Sequence, residues 1–422
     1  MKVLWYVNII MPAVAQAMDW KTPNTGGWLT GAAEGLRDTD IRLSIMTVSN
    51  LVSEKKIIES EDIAYILIPP KHFKAQFANT LQELRPDLVH IFGTEYHYNT
   101  SLIHLCSESG VKHVVSLQGI MYQIAKHYTD GLPKKYERIN PIIKLMRKLY
   151  YADSIALEKK RFADQGVLEV EALKKADAVI GRTAWDKRSA LAVNPNLAYY
   201  HVNENLRDAF YTGEGWRYEA CTPHTIFISQ SFYPIKGFHM LLAAMPELIR
   251  RYPDLKVVVG GQKPYTMHNR FLDKIVDYFF EYQQYTKKLI KQNHLQPYIH
   301  YTGSLDAGQM KAEFLKCNVF LSCSTIENSP NSVGEAMLLG VPVVASNVGG
   351  TESMLTDGQD GVLYDFYDSD AMVKGISAIF DHPETAEKMS SSARRHAAAT
   401  HDREANTAAL IGVYRSIQES ET

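Results

Sequence analysis

The chain has 422 residues, 45% apolar and 22% charged, the balance of a soluble globular protein long enough for two or three domains. A formal net charge of −2 excludes a global electrostatic pull toward nucleic acid or anionic lipid, so any such partner has to be met by a local patch. Four cysteines (Cys106, Cys221, Cys317, Cys323) lack paired spacing and sit in or near apolar runs. They read as buried free thiols of a reducing compartment, with no disulfide or metal framework. No stretch approaches the ~18 apolar residues of a membrane-spanning helix. The expectation is a cytoplasmic protein, with a peripheral place on the cytoplasmic face of the membrane left open.

The first residues, MKVLWYVNIIMPAVAQA, have the superficial profile of a signal peptide. Asn8 and Pro12 interrupt the run, so the reading is a first buried strand from Lys2 to Ile9. A polar loop with Gly26 and Gly27 follows and opens a helix from about Trp28 to Arg37. Gly-Gly in that place lets the backbone approach a phosphate or sugar, although its commoner use is a turn. It is not GxGxxG, which argues against a dinucleotide site. The alternation continues with strands in IRLSIMTVS, AYILIPP, PDLVHIFG and VKHVVSLQG and with helices ending near Arg85 and Ser109. That rhythm predicts a doubly wound α/β domain, in which His90 is a structural strand histidine.

From Met121 to Gly166 the pattern changes. Basic residues, among them Lys134, Lys135, Lys144, Arg147 and Lys148, interleave with Tyr122, Tyr128, Tyr136, Tyr150 and Tyr151, with few acids. The segment is suited either to an anionic membrane surface or to a solvated helical hairpin over a binding site. KKADAVIGRT is the last clear strand of the first domain, with Arg182 at its carboxyl end. The stretch from Ala198 to Phe210 leads through Gly213, Gly215 and Pro223, a composition read as a linker.

The rhythm restarts at TIFISQ. The loop SFYPIKG puts Lys236 and Gly237 ahead of a helix from Phe238 to Arg251; LKVVVGG and YIHYTGSL supply further strands. The most specific stretch is NVFLSCSTIENSPNSVGEAMLLGVPVVASNVGG, from Asn318 to Gly350. It reads as a buried strand, a polar loop, a short helix from about Asn331 to Leu339 and a second buried strand. Its glutamates, Glu327 and Glu335, lie eight positions apart. Unpaired N–H groups at Ser332, Val333 and Gly334 would suit a phosphate, and the two carboxylates would suit hydroxyl groups on either side of it. A sugar nucleotide has that order of parts. Ser332-x-x-Glu335 is also a capping box, which needs no ligand. Helices from Ser369 to Phe380 and Pro383 to Ala399 follow, with Asp368 as an N-cap, and the tail is helical.

The stretch resembles the Glu-x7-Glu signature of the retaining glycosyltransferases of family 4, including GEAMLLGVPVVAS and the Gly349-Gly350 turn. Residues 225–399 resemble the family most; the segment before Ala172 does so diffusely. The resemblance implies a GT-B fold: two facing Rossmann-like doubly wound domains with a cleft between them and a C-terminal helix crossing back to the first. The domains would be 1–212 for the acceptor, 223–399 for the donor and 400–422 for that helix. It implies a metal-independent enzyme, without a cofactor, that moves a sugar from a nucleotide-diphosphate sugar with retention of configuration. A UDP-sugar is the donor expected, a glycan or lipid-linked or small-molecule acceptor the partner, and cell-surface polysaccharide synthesis the setting; nucleic acid is not a partner. Lys236 would stabilise the leaving diphosphate, Glu327 hold the sugar and Glu335 the ribose. Ser332, Val333, Asn328, Ser231, Gly26, Gly27, Arg182 and Gln118 would complete the donor site.

Two departures stand out. Ser231 occupies the position where the family carries a second cation; either Arg182 reaches across the cleft in its place or one cation suffices. Gln118 stands where the family has histidine, and an amide cannot take a proton. The alternatives are a nucleotide-sugar epimerase of the same fold and a catalytically inactive nucleotide-sugar binding protein.

Overall fold

A computed structural model describes residues 1–21, 26–139, 154–263 and 280–420, which divide into two compact units. Unit 1 comprises 1–122, 164–208 and 400–422, and unit 2 comprises 123–163 and 209–399. The segment 123–163, expected within the first domain, therefore clusters with the second. Its tertiary contacts decide this: Tyr128, Tyr136 and Ile155 are buried with Tyr282 in one small apolar cluster. The 21-residue helix Ile155–Lys175 carries the chain from unit 2 back into unit 1.

Unit 1 holds an eight-stranded sheet: β1 (Lys2–Tyr6), β2 (Arg42–Val48), β3 (Lys56–Ser60), β4 (Ile63–Ile68), β5 (Leu88–Phe92), β6 (His113–Ser116), β7 (Ala178–Gly181) and β8 (Ala198–His201). The order is β3-β4-β2-β1-β5-β6-β7-β8, parallel except for the β3–β4 hairpin. The strands of its centre are apolar on both faces because helices cover both sides. Two strands depart from the sequence reading. Edge strand β3 turns into β4 through Glu61 and Asp62, both with positive φ (54° and 64°), the twist a two-residue hairpin requires. Strand β8, read as linker, pairs parallel with β7 from Ala178↔Ala198 to Gly181↔His201. The terminal helix Arg403–Glu419 belongs to this unit. There Tyr414 Oη accepts from Trp5 Nε1 (2.9 Å) and meets His90 Nδ1 (2.6 Å), while His90 Nε2 reaches Ser116 Oγ (2.7 Å). Burial pushes the His90 pKa down to about 3, so the ring is neutral and serves the core.

Unit 2 holds six strands, all parallel: β9 (Thr225–Ile228), β10 (Lys256–Val259), β11 (Ile299–Tyr301), β12 (Val319–Ser322), β13 (Val343–Ser346) and β14 (Val362–Tyr364). Their order is β11-β10-β9-β12-β13-β14. The chain runs outward from β9 to β11, then returns to lay β12 against the other side of β9. The break between β9 and β12 is a topological switch point, where the loops at the carboxyl edge diverge and leave a crevice. Helices Phe238–Arg251 and Asn331–Leu339 follow β9 and β12 over the spans expected, and Asp368 caps its helix by accepting from Ala371 N (2.8 Å). All four cysteines are free; Cys106, Cys317 and Cys323 are buried, whereas Cys221 is half-buried.

Unit 1 contains a carboxyl group out of its usual range. Glu169 is fully buried and accepts from Thr94 Oγ1 (2.7 Å) and from the Tyr122 amide (3.1 Å), next to where the chain leaves the unit. Burial raises its pKa to about 7, against the pull of those hydrogen bonds. A folded-state pKa above the unfolded one gives stability that is complete at low pH and lost as pH rises through 7. Glu169→Gln removes the charge, keeps one oxygen to accept from the Tyr122 amide and lets its Nε2 donate to the Thr94 hydroxyl, which can reverse its role. Urea denaturation should find the variant equal to wild type near pH 5 and more stable by up to roughly 3 kcal/mol at pH 8. A variant weaker than wild type at pH 8 would refute this.

Candidate functional site

The crevice of unit 2 is built by two loops locked to each other. After β9 the chain makes a single 3-10 turn, Pro234–Lys236, and enters its helix through Gly237 at φ +66°. A Cβ there would lie 1.6 Å from the carbonyl oxygen of Cys323, so only glycine lets the β9 and β12 loops meet. The Thr325 amide donates to the Ile235 carbonyl (2.8 Å) and joins them again. Lys236 Nζ is thereby brought to 2.5 Å from Glu327 Oε1, and Ser324 Oγ donates to the same oxygen (2.7 Å). The pair is partly screened from water, with side-chain exposures of 26% for Lys236 and 14% for Glu327. The Gly349-Gly350 turn fixes the backbone of Glu327. Gly350 N donates to the Glu327 carbonyl (2.9 Å), and a Cβ on Gly349 (φ +57°) would sit 2.0 Å from that oxygen.

Lys236, Glu327 and Ser332 line one concavity together with Ser229, Gln230 and Ser324. The other expected residues of this unit do not reach its wall. Glu335 is 3% exposed, while Val333, Asn328 and Ser231 are also buried. Helix Asn331–Leu339 starts after Pro330, with no side-chain cap. Ser332 is its second residue, so the Ser332-x-x-Glu335 capping box does not form. Proline ahead of the first turn sets this start. The amides of Val333 and Gly334, expected to be unpaired, turn back to the Pro330 carbonyl (2.9 and 3.4 Å), so of the three residues Ser332 is the one that lines the wall. Ser324 and Gln230 were not foreseen. Ser324, three residues before Glu327, carried only the weak signal of a hydroxyl near a carboxylate.

Unit 1 has its own cavity at the carboxyl ends of β5 to β8. Arg182 and Gln118 meet there through a residue that sequence reasoning missed. Glu204 takes Arg182 Nη1 on one oxygen (2.7 Å) and Gln118 Nε2 on the other (3.0 Å). Arg182 Nη2 also donates to the carbonyls of Leu117 (3.3 Å) and Gln118 (3.2 Å). Its guanidinium is thus paired within unit 1. Gly26 and Gly27 open the helix Gly27–Gly35, where a Cβ would meet Ile9 and Arg207, so protein side chains occupy the close approach expected for ligand.

In the basic segment, Tyr128 and Tyr136 are buried in unit 2, so these aromatics do not face outward. Lys144, Arg147, Lys148, Tyr150 and Tyr151 lie outside the described residues. Among the described residues no helix is long and apolar enough to cross a membrane.

Two Rossmann-like units, one of them with charged and polar groups gathered at its switch point, define the GT-B class of glycosyltransferase folds. Residues 219–396, which lie within unit 2, match the family glycosyl transferases group 1. The chain is 24% identical over 374 residues to the putative glycosyltransferase YtcC of Bacillus subtilis, covering 85% of this chain and 80% of that one. It is 27% identical to the GDP-mannose-dependent alpha-(1-6)-phosphatidylinositol monomannoside mannosyltransferase of Mycolicibacterium smegmatis, over 39% of this chain and 40% of the other. Among solved structures, sucrose-phosphate synthase of Thermosynechococcus elongatus superposes with a TM-score of 0.68 at 16% identity, covering 99% of this chain and 98% of that one. Anabaena HepE in complex with UDP and glucose gives 0.68 at 15%, over 99% and 100%.

Proposed function

We propose that the protein is a retaining, metal-independent glycosyltransferase of family 4 that uses a nucleotide-diphosphate sugar, a UDP-sugar first, and a glycan or lipid-linked acceptor in cell-surface polysaccharide synthesis. The observation that carries this reading is the meeting of Lys236, Glu327 and Ser332 in one crevice at the switch point of unit 2. Lys236 and the Ser332 amide would take the diphosphate, supplying positive charge where negative charge grows as the bond breaks. Glu327 would hold the transferred sugar, and Glu335, one turn further along the helix, the ribose. The anomeric C–O bond to the diphosphate breaks, the acceptor oxygen bonds to the same face of C1, and the acceptor proton passes to the leaving phosphate. Unit 2 would then be the donor domain and unit 1 the acceptor domain.

UDP bound by a protein of the same fold supports the choice of base, while the GDP-mannose dependence of one relative makes GDP-sugars the necessary control. The test is incubation with UDP-glucose and GDP-mannose, with and without candidate glycan acceptors. Acceptor-dependent release of nucleotide, with the donor's anomeric configuration kept in the product, is expected. A changed sugar without transfer would mean an epimerase, and binding without either reaction an inactive binder.

An anionic membrane surface remains a proposed partner of 121–161, carried by its basic residues now that Tyr128 and Tyr136 are turned inward. The protein should sediment with anionic liposomes and be released by salt. Equal recovery in the supernatant with and without lipid would return the segment to an ordinary cover.

A further inference from the structure

The cavity of unit 1 has a charge balance with a chemical consequence. Of the side chains lining it, Arg182 and Glu204 are the two ionised ones, and they neutralise each other at 2.7 Å with side-chain exposures of 7% and 10%. His90, also on the wall, is held neutral by burial. The rest of the wall is uncharged: apolar side chains, the indole of Trp28, hydroxyl groups, and amides that include Gln118, Asn203 and Asn205. Arg182 Nε is buried and has no hydrogen-bond partner, a donor that a ligand hydroxyl would satisfy. An aromatic surface beside neutral donors and acceptors matches the two faces of a sugar ring, its C–H face and its hydroxyl edge.

We propose that Glu204 is a specificity-determining residue: by taking up Arg182 it makes the unit 1 cavity select uncharged, hydroxyl-bearing ligands and reject phosphorylated ones. A buried arginine without its carboxylate is an uncompensated charge that draws an anion. With Glu204 in place, a phosphate entering the cavity meets a carboxylate and no free cation, and its desolvation goes unrepaid. The backbone keeps Glu204 there, since its carbonyl accepts from His401 Nδ1 (2.9 Å) ahead of the terminal helix. Calling this ligand the acceptor rests on the glycosyltransferase reading; the charge selection does not.

Saturation-transfer NMR with glucose and glucose 6-phosphate tests the selection on one skeleton with and without charge. Wild type is expected to bind glucose at least tenfold more tightly at this cavity, identified as the signal lost when Ala32→Leu fills the wall. Glu204→Gln, which keeps the shape and frees the guanidinium, should reverse the preference by at least tenfold. A double variant, Arg182→Gln with Glu204→Gln, removes both charges and should still prefer glucose, so the selection remains testable if the single variant does not fold. Wild-type preference for glucose 6-phosphate in the Ala32-sensitive signal, no glucose signal at all, or phosphate binding by the double variant would overturn the proposal. Failure of the transferase reading would show differently, as sugar binding without nucleotide release from any donor.

Discussion

Lys236→Ala is expected to lower kcat by roughly 10²–10³, the scale for removing one preorganised stabiliser of developing charge. The expectation is large because Lys236 is the one cation among the described residues that line this crevice. Ser231 occupies the place where a second would be, and Arg182 is spent on Glu204 within unit 1. The substitution also strips Glu327 of its counter-ion at 2.5 Å, leaving Ser324 Oγ as the remaining hydrogen bond to that carboxylate oxygen. The pair is largely buried, so the variant is also expected to lose some stability, and its kinetics are read below its own melting temperature. Lys236→Arg should retain part of the rate, because it restores charge without the same reach. Steady-state kinetics with melting temperatures decides: a kcat within threefold of wild type would remove Lys236 from the diphosphate.

Glu327→Gln and Glu335→Gln should fail in different ways. Glu327 sits in the wall of the crevice, and on the proposed reading it faces the sugar that becomes cationic as the bond breaks, so its charge would matter most at the transition state. Its loss should act mainly on kcat, by about 10². Glu335, assigned to the ribose, makes the same contact before and during reaction, so its loss should mainly raise the donor KM. The alternative role of Glu335 as half of a capping box is excluded by the helix starting after Pro330. A rise in donor KM with an unchanged melting temperature in Glu335→Gln would therefore read on ligand. Unchanged KM and kcat in that variant would leave Glu335 a buried structural carboxylate.

The parts of the fold legible in the sequence are those where local chemistry and burial agree. Helices Phe238–Arg251 and Asn331–Leu339 were readable to the residue because glycine in the left-handed region marks an end of each, Gly237 before one and Gly340 after the other. Strand β8, Ala198–His201, was not, because an edge strand with half-exposed tyrosines lacks the apolar run that betrays a buried one. The segment 123–163 was misplaced for another reason: Tyr128 and Tyr136 are buried by residues such as Tyr282, far along the chain, and periodicity carries no information about distant partners. At the site, Lys236 and Glu327 could be picked out from spacing, whereas their contact depends on Gly237 and Gly349 admitting one loop against another. Glu204 was invisible because a single loop carboxylate gives no sign of the arginine and amide that will claim it.

The central claim is that the crevice at the end of β9 and β12 takes a nucleoside diphosphate through Lys236. Thermal and chemical denaturation with and without UDP, on wild type and on Lys236→Ala, tests it most directly. At a hundred times its dissociation constant UDP should stabilise wild type by about 2.7 kcal/mol, and the same concentration should do far less for the variant. Equal stabilisation of both proteins, or none of wild type by UDP or GDP, would contradict the claim.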